Sequence, residues 1–189
     1  VSFAQCVCAE AKEMKAYIDA LIETGLPQEG IFDKVAKKFS LDVIIDQETK
    51  IQVEKRLIKE TGEKRPQIVL EPSFFDFGRV SKKQGKISKI FKLHNKGSIS
   101  LIVKRIKTTC PCSLASLSIE GRKSPYFGTE GSPENWQAEI KPGLSAELEV
   151  VIDLASPHIN TGRIIRDVSI ATNDPLYPET TVRVQVEVE

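Results

Sequence analysis

The sequence predicts an α+β chain in two parts, a small three-helix unit at the front and an antiparallel β-sandwich behind it. Three observations carry that prediction. Apolar side chains recur at helical spacing over residues 9–61. The polar stretch Gly62-Glu63-Lys64-Arg65-Pro66 then interrupts the pattern. Beyond it, apolar and polar residues alternate in short runs separated by turn signals. The expected organisation is a helical domain over 1–62, a linker over 63–66 and a β domain over 67–189.

In the first predicted helix Met14, Tyr17, Ile18, Leu21 and Ile22 form one face, and Gly25 stands where a helix-terminating glycine belongs. Pro27 opens the second, a role its fixed φ suits, and the stripe there is Ile31, Phe32, Val35, Ala36 and Phe39. The third begins near Asp46, a good N-cap with Glu48 in the first turn. It runs through Val53, Leu57 and Ile58 to stop at Thr61-Gly62. A unit this small has little interior of its own, so it is expected to lean on the second domain, a twin copy or a disulfide.

Strands are expected at Gln67 to Glu71, Phe74 to Gly78, Lys86 to Asn95, Ser100 to Thr108, Trp136 to Ile140, Ser145 to Asp153, Arg163 to Thr172 and Thr180 to Glu189. Turn signals punctuate them at Asn95-Lys96-Gly97, Lys141-Pro142-Gly143 and Asn173-Asp174-Pro175. The last run is the clearest, with Val182, Val184, Val186 and Val188 alternating with Arg183, Gln185, Glu187 and Glu189. Short strands at this density indicate an immunoglobulin-like sandwich, with a barrel as the other solution. Glu120 to Asn135, with three glycines and two prolines, breaks the alternation and reads as a long exposed loop of the kind that carries binding surface.

Net charge is +1, which favours no class of partner, but the charge is uneven. Arg79 to Ile119 holds ten Lys and Arg and no Asp or Glu. Such residues on alternating strands read as a wet face that deters edge pairing, with an anionic partner as the other reading. Nucleic acid is not expected, since the aromatic interleaving of single-strand readers is missing. No run reaches the roughly 18 uncharged apolar residues of a membrane helix. Val1-Ser2-Phe3-Ala4-Gln5 resembles the tail of a secretory signal, with small residues at Ser2 and Ala4. The motifs of serine hydrolases, phosphate loops, dinucleotide folds and zinc peptidases are missing.

The four cysteines form two Cys-x-Cys pairs, Cys6 with Cys8 and Cys110 with Cys112. Three connectivities are open to them. A bond from Cys6 or Cys8 to Cys110 or Cys112 would close a loop of about 100 residues, worth about 4.7 kcal/mol in the chain-entropy model. A redox reading has Cys110 and Cys112, or Cys6 and Cys8, cycling in exchange with a partner. Lys104, Arg105 and Lys107, just before the second pair, are then candidates to favour thiolate and to contact that partner. A metal reading gives Cys110 and Cys112 a Cu(I) or Zn ion, because thiolates are soft ligands. His94 and His158 read as ordinary structural or surface histidines. Otherwise no cofactor is expected.

The back half resembles the DUF1573 type of bacterial exported domain, related to the immunoglobulin-like modules of the hydin and ASPM group. The resemblance runs through Phe75-Asp76-Phe77-Gly78-Arg79-Val80, Phe91-Lys92-Leu93-His94-Asn95-Lys96-Gly97 and Leu101-Ile102-Val103-Lys104-Arg105-Ile106. It continues with Thr109-Cys110-Pro111-Cys112, Ile140-Lys141-Pro142-Gly143 and Ala171-Thr172-Asn173-Asp174-Pro175, over roughly 67–189. The family usually has Gly between the cysteines and Thr after them, where this chain has Pro111 and Ser113. The resemblance implies a sandwich and a periplasmic or otherwise extracytoplasmic location. More weakly, Cys6 and Cys8 with Ala16 to Gly25 and Gln28 to Ile45 are similar to the helical thiol domain of cytochrome c maturation proteins, whose pair is Cys-x-x-Cys.

The leading expectation is an exported, non-enzymatic protein-binding or assembly module, with self-association open to it. The alternatives are thiol-disulfide exchange with an apo-cytochrome or similar client, and Cu(I) or Zn binding through the Cys-x-Cys pairs.

Overall fold

A computed structural model describes residues 9–189. The chain divides into two compact units. The first runs up to Glu63 and takes in Pro175–Pro178, and the second comprises Lys64–Asp174 and Glu179–Glu189.

In the first unit α1 (Ala9–Glu23), α2 (Gln28–Phe39) and α3 (Gln47–Thr61) form where the apolar stripes predict them. Pro27 sits one position before α2, as its N-cap in extended conformation. The Asp46 carboxylate accepts the Thr49 N–H at 2.8 Å and caps α3, and hydrogen bonding by the Thr49 side chain first and its N–H second holds the Asp46 pKa below its ordinary value. Gly62, at φ 79°, ends the helix in a backbone region where a Cβ would be strained. The core is Ala36, Leu41, Ile44, Val53, Leu57 and Leu176. Leu41 lies in a short 3-10 turn that the periodicity did not predict, and its N–H donates to the Leu176 carbonyl at 2.9 Å. Arg56 makes a forked bond to Asp33, tying α3 to α2. Ile22, placed by sequence on the packed face of α1, is 57% exposed.

The second unit is a sandwich of two five-stranded sheets. One has the order β1-β3-β8-β5-β6: β1 (Ile68–Glu71), β3 (Lys86–Asn95), β8 (Ser145–Asp153), β5 (Ser113–Ile119) and β6 (Arg122–Lys123). The other has the order β2-β10-β9-β4-β7: β2 (Phe74–Val80), β10 (Glu179–Val188), β9 (Gly162–Thr172), β4 (Leu101–Thr108) and β7 (Ala138–Ile140). Between them lies a core that includes Phe91, Leu93, Ile106, Leu148, Ile152, Val168, Ile170 and the valines of β10.

The sandwich departs from the sequence reading in three places. It is not wholly antiparallel, because β2 pairs with β10 in parallel. The chain passes from β1 to β2 through Pro72, which has no N–H to give either ladder, and so changes sheets. Next, β5 went unpredicted: its buried residues include Ser113 and Ser116, so no alternation of apolar and polar residues marks it. Finally, Glu120 to Asn135 is not simply an exposed loop. Phe127 is 5% exposed and exchanges both backbone bonds with Ala115, covering the edge of β5, while Ser132 donates to the Ile106 carbonyl. Burying one large ring and pairing an open strand edge offset the ordering of this segment.

Two turn motifs, around Asn95 and around Asn173-Asp174, serve as clamps at the end of β4 where it begins. The buried Asn95 amide donates to the carbonyls of Ile99 and Ile140, and its oxygen accepts from Gly97 and Gln67. Asn173 accepts the Ile102 N–H, and the fully buried Asp174 accepts that of Ile68.

Candidate functional site

The cysteine turn lies at the other end of β4, where the chain crosses from β4 to β5. The turn is held by its own hydroxyl and backbone bonds and by the neighbouring strands. Thr109 N–H donates to the Asp167 carbonyl of β9, and the Asp167 N–H returns a bond to the Thr109 hydroxyl. The Cys110 carbonyl accepts from the Ser113 amide and from the Ser113 and Thr108 hydroxyls, while the Cys112 carbonyl accepts the Asp153 N–H of β8. Ser113 therefore completes the turn, and Pro111 sits exposed at its tip.

This brings the Cys110 and Cys112 sulfurs against each other, with Cα atoms 5.2 Å apart, inside the range of bonded pairs. Cys110 is 8% exposed and Cys112 2%. The Cys112 N–H donates to Cys110 Sγ at 3.3 Å. Arg166 of β9 donates through Nε to Cys112 Sγ at 2.9 Å. Its other nitrogens go to the carbonyls of Ile165 and His158, so the head group is aimed by three contacts. Burial pushes the Arg166 pKa down, yet a guanidinium stays charged throughout the working range of proteins.

The cation on the sulfur was not legible in the sequence, since 54 residues separate Arg166 from Cys112 and only the pairing of β4 with β9 brings them together. Lys104, Arg105 and Lys107 lie exposed along β4. Among the described residues none of these three hydrogen-bonds a cysteine sulfur, and Arg105 is spent on the Glu130 carbonyl. Cys6 and Cys8 fall outside the described residues, as does the signal-like stretch Val1 to Gln5. His94 bonds Ser145 and lies 3.8 Å from Glu71, and His158 is exposed. No group of three or more His, Cys, Asp and Glu side chains able to hold a metal ion occurs among the described residues. No helix among them is long and apolar enough to cross a membrane.

A second surface of interest is the outward face of the β1-β3-β8-β5-β6 sheet. Register sets Leu114 opposite Val151, with Ile90 opposite the next outward residue, Glu149. Ile90 is 49% exposed, Leu114 39% and Tyr126 44%. The Tyr126 hydroxyl donates to Glu149, and Lys123 donates to both. Those bonds hold the Glu149 pKa below, and the Lys123 pKa above, their ordinary values. A cleft of about 440 Å³ opens between β6 and β7, lined by Arg122, Trp136, Glu139 and Lys141 among others.

Residues 68–124 match the sequence model of a family described as a protein of unknown function, DUF1573. No curated protein matches the chain. Among solved structures, a protein of unknown function from Porphyromonas gingivalis W83 is similar at 21% identity, with a TM-score of 0.50 over 67% of this chain and 49% of that one. The VesB protease of Vibrio cholerae is similar at 14% identity, with a TM-score of 0.46 over 74% of this chain and 35% of that one. A PapD-like domain of human CEP192 is similar at 8% identity, with a TM-score of 0.40 over 68% of this chain and 87% of that one. The chain thus spans about half the length of the Porphyromonas protein. The immunoglobulin-like sandwich expected from the strand pattern is the fold, and the family resemblance holds over the matched stretch.

Proposed function

We propose that the chain is an extracytoplasmic, non-enzymatic protein-binding module. The reading is carried by the apolar patch of Ile90, Val151 and Leu114 at the centre of a sheet face, beside Tyr126 and rimmed by Lys92, Glu147 and the Lys123–Glu149 pair. Exposed apolar side chains gathered on central strands and ringed by charge mark protein contact sites. The cysteine usage supports a place outside the cytoplasm, where a paired Cys110 and Cys112 would persist. A photocrosslinking residue at Leu114 tests this in the native compartment. One discrete protein should be captured, and its reconstituted affinity for the full chain should fall at least tenfold on Ile90→Ser with Leu114→Ser. Unchanged affinity would sink the reading, and a concentration-dependent dimer lost in the same variant would make the occupant a second copy.

A second reading is favoured by the Arg166 contact on Cys112. In it, Cys110 and Cys112 form a disulfide that exchanges with the thiols of a protein client. A reduction potential near about −200 mV is expected for exchange, whereas one below about −300 mV would mean an inert staple.

A further inference from the structure

We infer that the exchange has a fixed direction: a client thiolate attacks Cys110, and Cys112 departs as a thiolate held by Arg166. The assignment rests on the thiol-exchange reading above and goes beyond it by giving each sulfur its own role. Two independent observations carry it. Cys110 is the more exposed sulfur-bearing residue, beside the exposed Pro111, whereas Cys112 lies almost wholly buried. The donors on the two sulfurs also differ in kind. Cys110 Sγ accepts from a neutral backbone N–H at 3.3 Å, and Cys112 Sγ accepts from a guanidinium at 2.9 Å. A charge-assisted bond is roughly twice as strong as a neutral one, so negative charge settles on Cys112. A sulfur whose thiol has the lower pKa leaves faster, so attack at Cys110 is favoured by access and by leaving group together.

A client thiolate displaces Cys112, forming a client–Cys110 disulfide and breaking the Cys110–Cys112 bond. The departing electron pair rests on Cys112 Sγ opposite Arg166. A second client thiolate then attacks the client sulfur and releases Cys110, which takes a proton from solvent. The client has lost two electrons as its disulfide forms, and the pair has gained them as a dithiol. In the reverse direction Cys112, already the stabilised thiolate, closes the ring on a Cys110 mixed disulfide. The substrate class is therefore a protein dithiol that can reach the Pro111 tip.

The test uses the full oxidised chain and reduced glutathione as the probe, with the freed thiol alkylated as it forms. Fragmentation of the peptide across Pro111 should place glutathione on Cys110 and the alkyl group on Cys112. Arg166→Met should slow adduct formation on the order of five- to tenfold, because the departing Cys112 thiolate loses the cation that holds it. Arg166→Lys should recover part of the rate, and Lys104→Met with Lys107→Met should change nothing. Circular dichroism identical to the parent shows that the variants fold. Glutathione found on Cys112, or an Arg166→Met rate equal to the parent's, overturns the assignment alone. No adduct at any glutathione concentration overturns the exchange reading with it.

Discussion

The fully buried carboxylate of Asp174 accepts the backbone N–H of Ile68 at 2.9 Å, joining residues 106 positions apart in the chain. Ile68 opens β1 and Asp174 follows β9, so one side chain closes the start of one sheet onto the end of a strand in the other. Asp174→Ala should lower unfolding stability by about 2–3 kcal/mol, because the Ile68 N–H would be left buried without an acceptor. Asp174→Asn keeps an acceptor and should cost less. Urea unfolding followed by tryptophan fluorescence reads both, and equal losses would refute the acceptor role.

Gly97 is expected to tolerate no side chain. A Cβ there would stand 2.5 Å from the Gln67 nitrogen and closer still to the Arg65 carbonyl oxygen, both backbone atoms that cannot turn aside. Gly97→Ala should therefore destabilise the sandwich by about 1–3 kcal/mol, as other overpacked sites do. A urea midpoint unchanged from the parent would show that the segment 65–67 yields.

The Glu149 cluster should make the sandwich sensitive to pH at both ends of the range. Lys123 first and Tyr126 second hold the Glu149 carboxyl below its ordinary value near 4.5. The stabilisation is complete above that value and disappears as pH falls through the lower, folded-state pKa. Lys123 is raised above its ordinary value near 10.5 by Glu149 and then Tyr126, so its share is complete below that value and disappears as pH rises through the folded-state pKa. Thermal melts from pH 7 down to 3 should show a steeper fall for the parent than for Glu149→Gln, and parallel curves would remove the cluster from the account.

Leu176 is expected to matter to the helices although it lies between two strands of the sandwich in sequence. It is fully buried among Ala36, Leu41, Val53 and Leu57. Leu176→Ala should cost about 2–5 kcal/mol in the helical unit, the usual range for a core leucine that leaves a cavity. Hydrogen exchange in α2 and α3 should speed up, and protection equal to the parent's would contradict the packing.

Much of this architecture was legible in the residues themselves. Asp46, Gly62 and the stripe of α3 announce their helix, because capping and periodicity act within a few residues. The alternating valines of β10 announce a half-buried strand for the same reason. Strand β5 escaped because Ser113 and Ser116 are buried among its residues although serine reads as polar, so burial there follows no alternation that a local pattern records. The parallel pairing of β2 with β10 escaped because pairing direction depends on chain path and not on residue type.

The candidate site divides along the same line. The Cys-Pro-Cys spacing and the likeness to the DUF1573 family could be read directly, and with the spacing the expectation of thiol chemistry. Which cation faces the sulfur could not. Lys104, Arg105 and Lys107 are near in sequence but stay exposed along β4, while Arg166, from a distant strand, takes the Cys112 sulfur. Sequence by itself determined the three helices, most of the strands and the closely spaced thiols, since each follows from interactions between residues a few positions apart. Only tertiary structure decided what surrounds those thiols, because an electrostatic partner is chosen by distance in space, which the register of β9 against β4 alone sets.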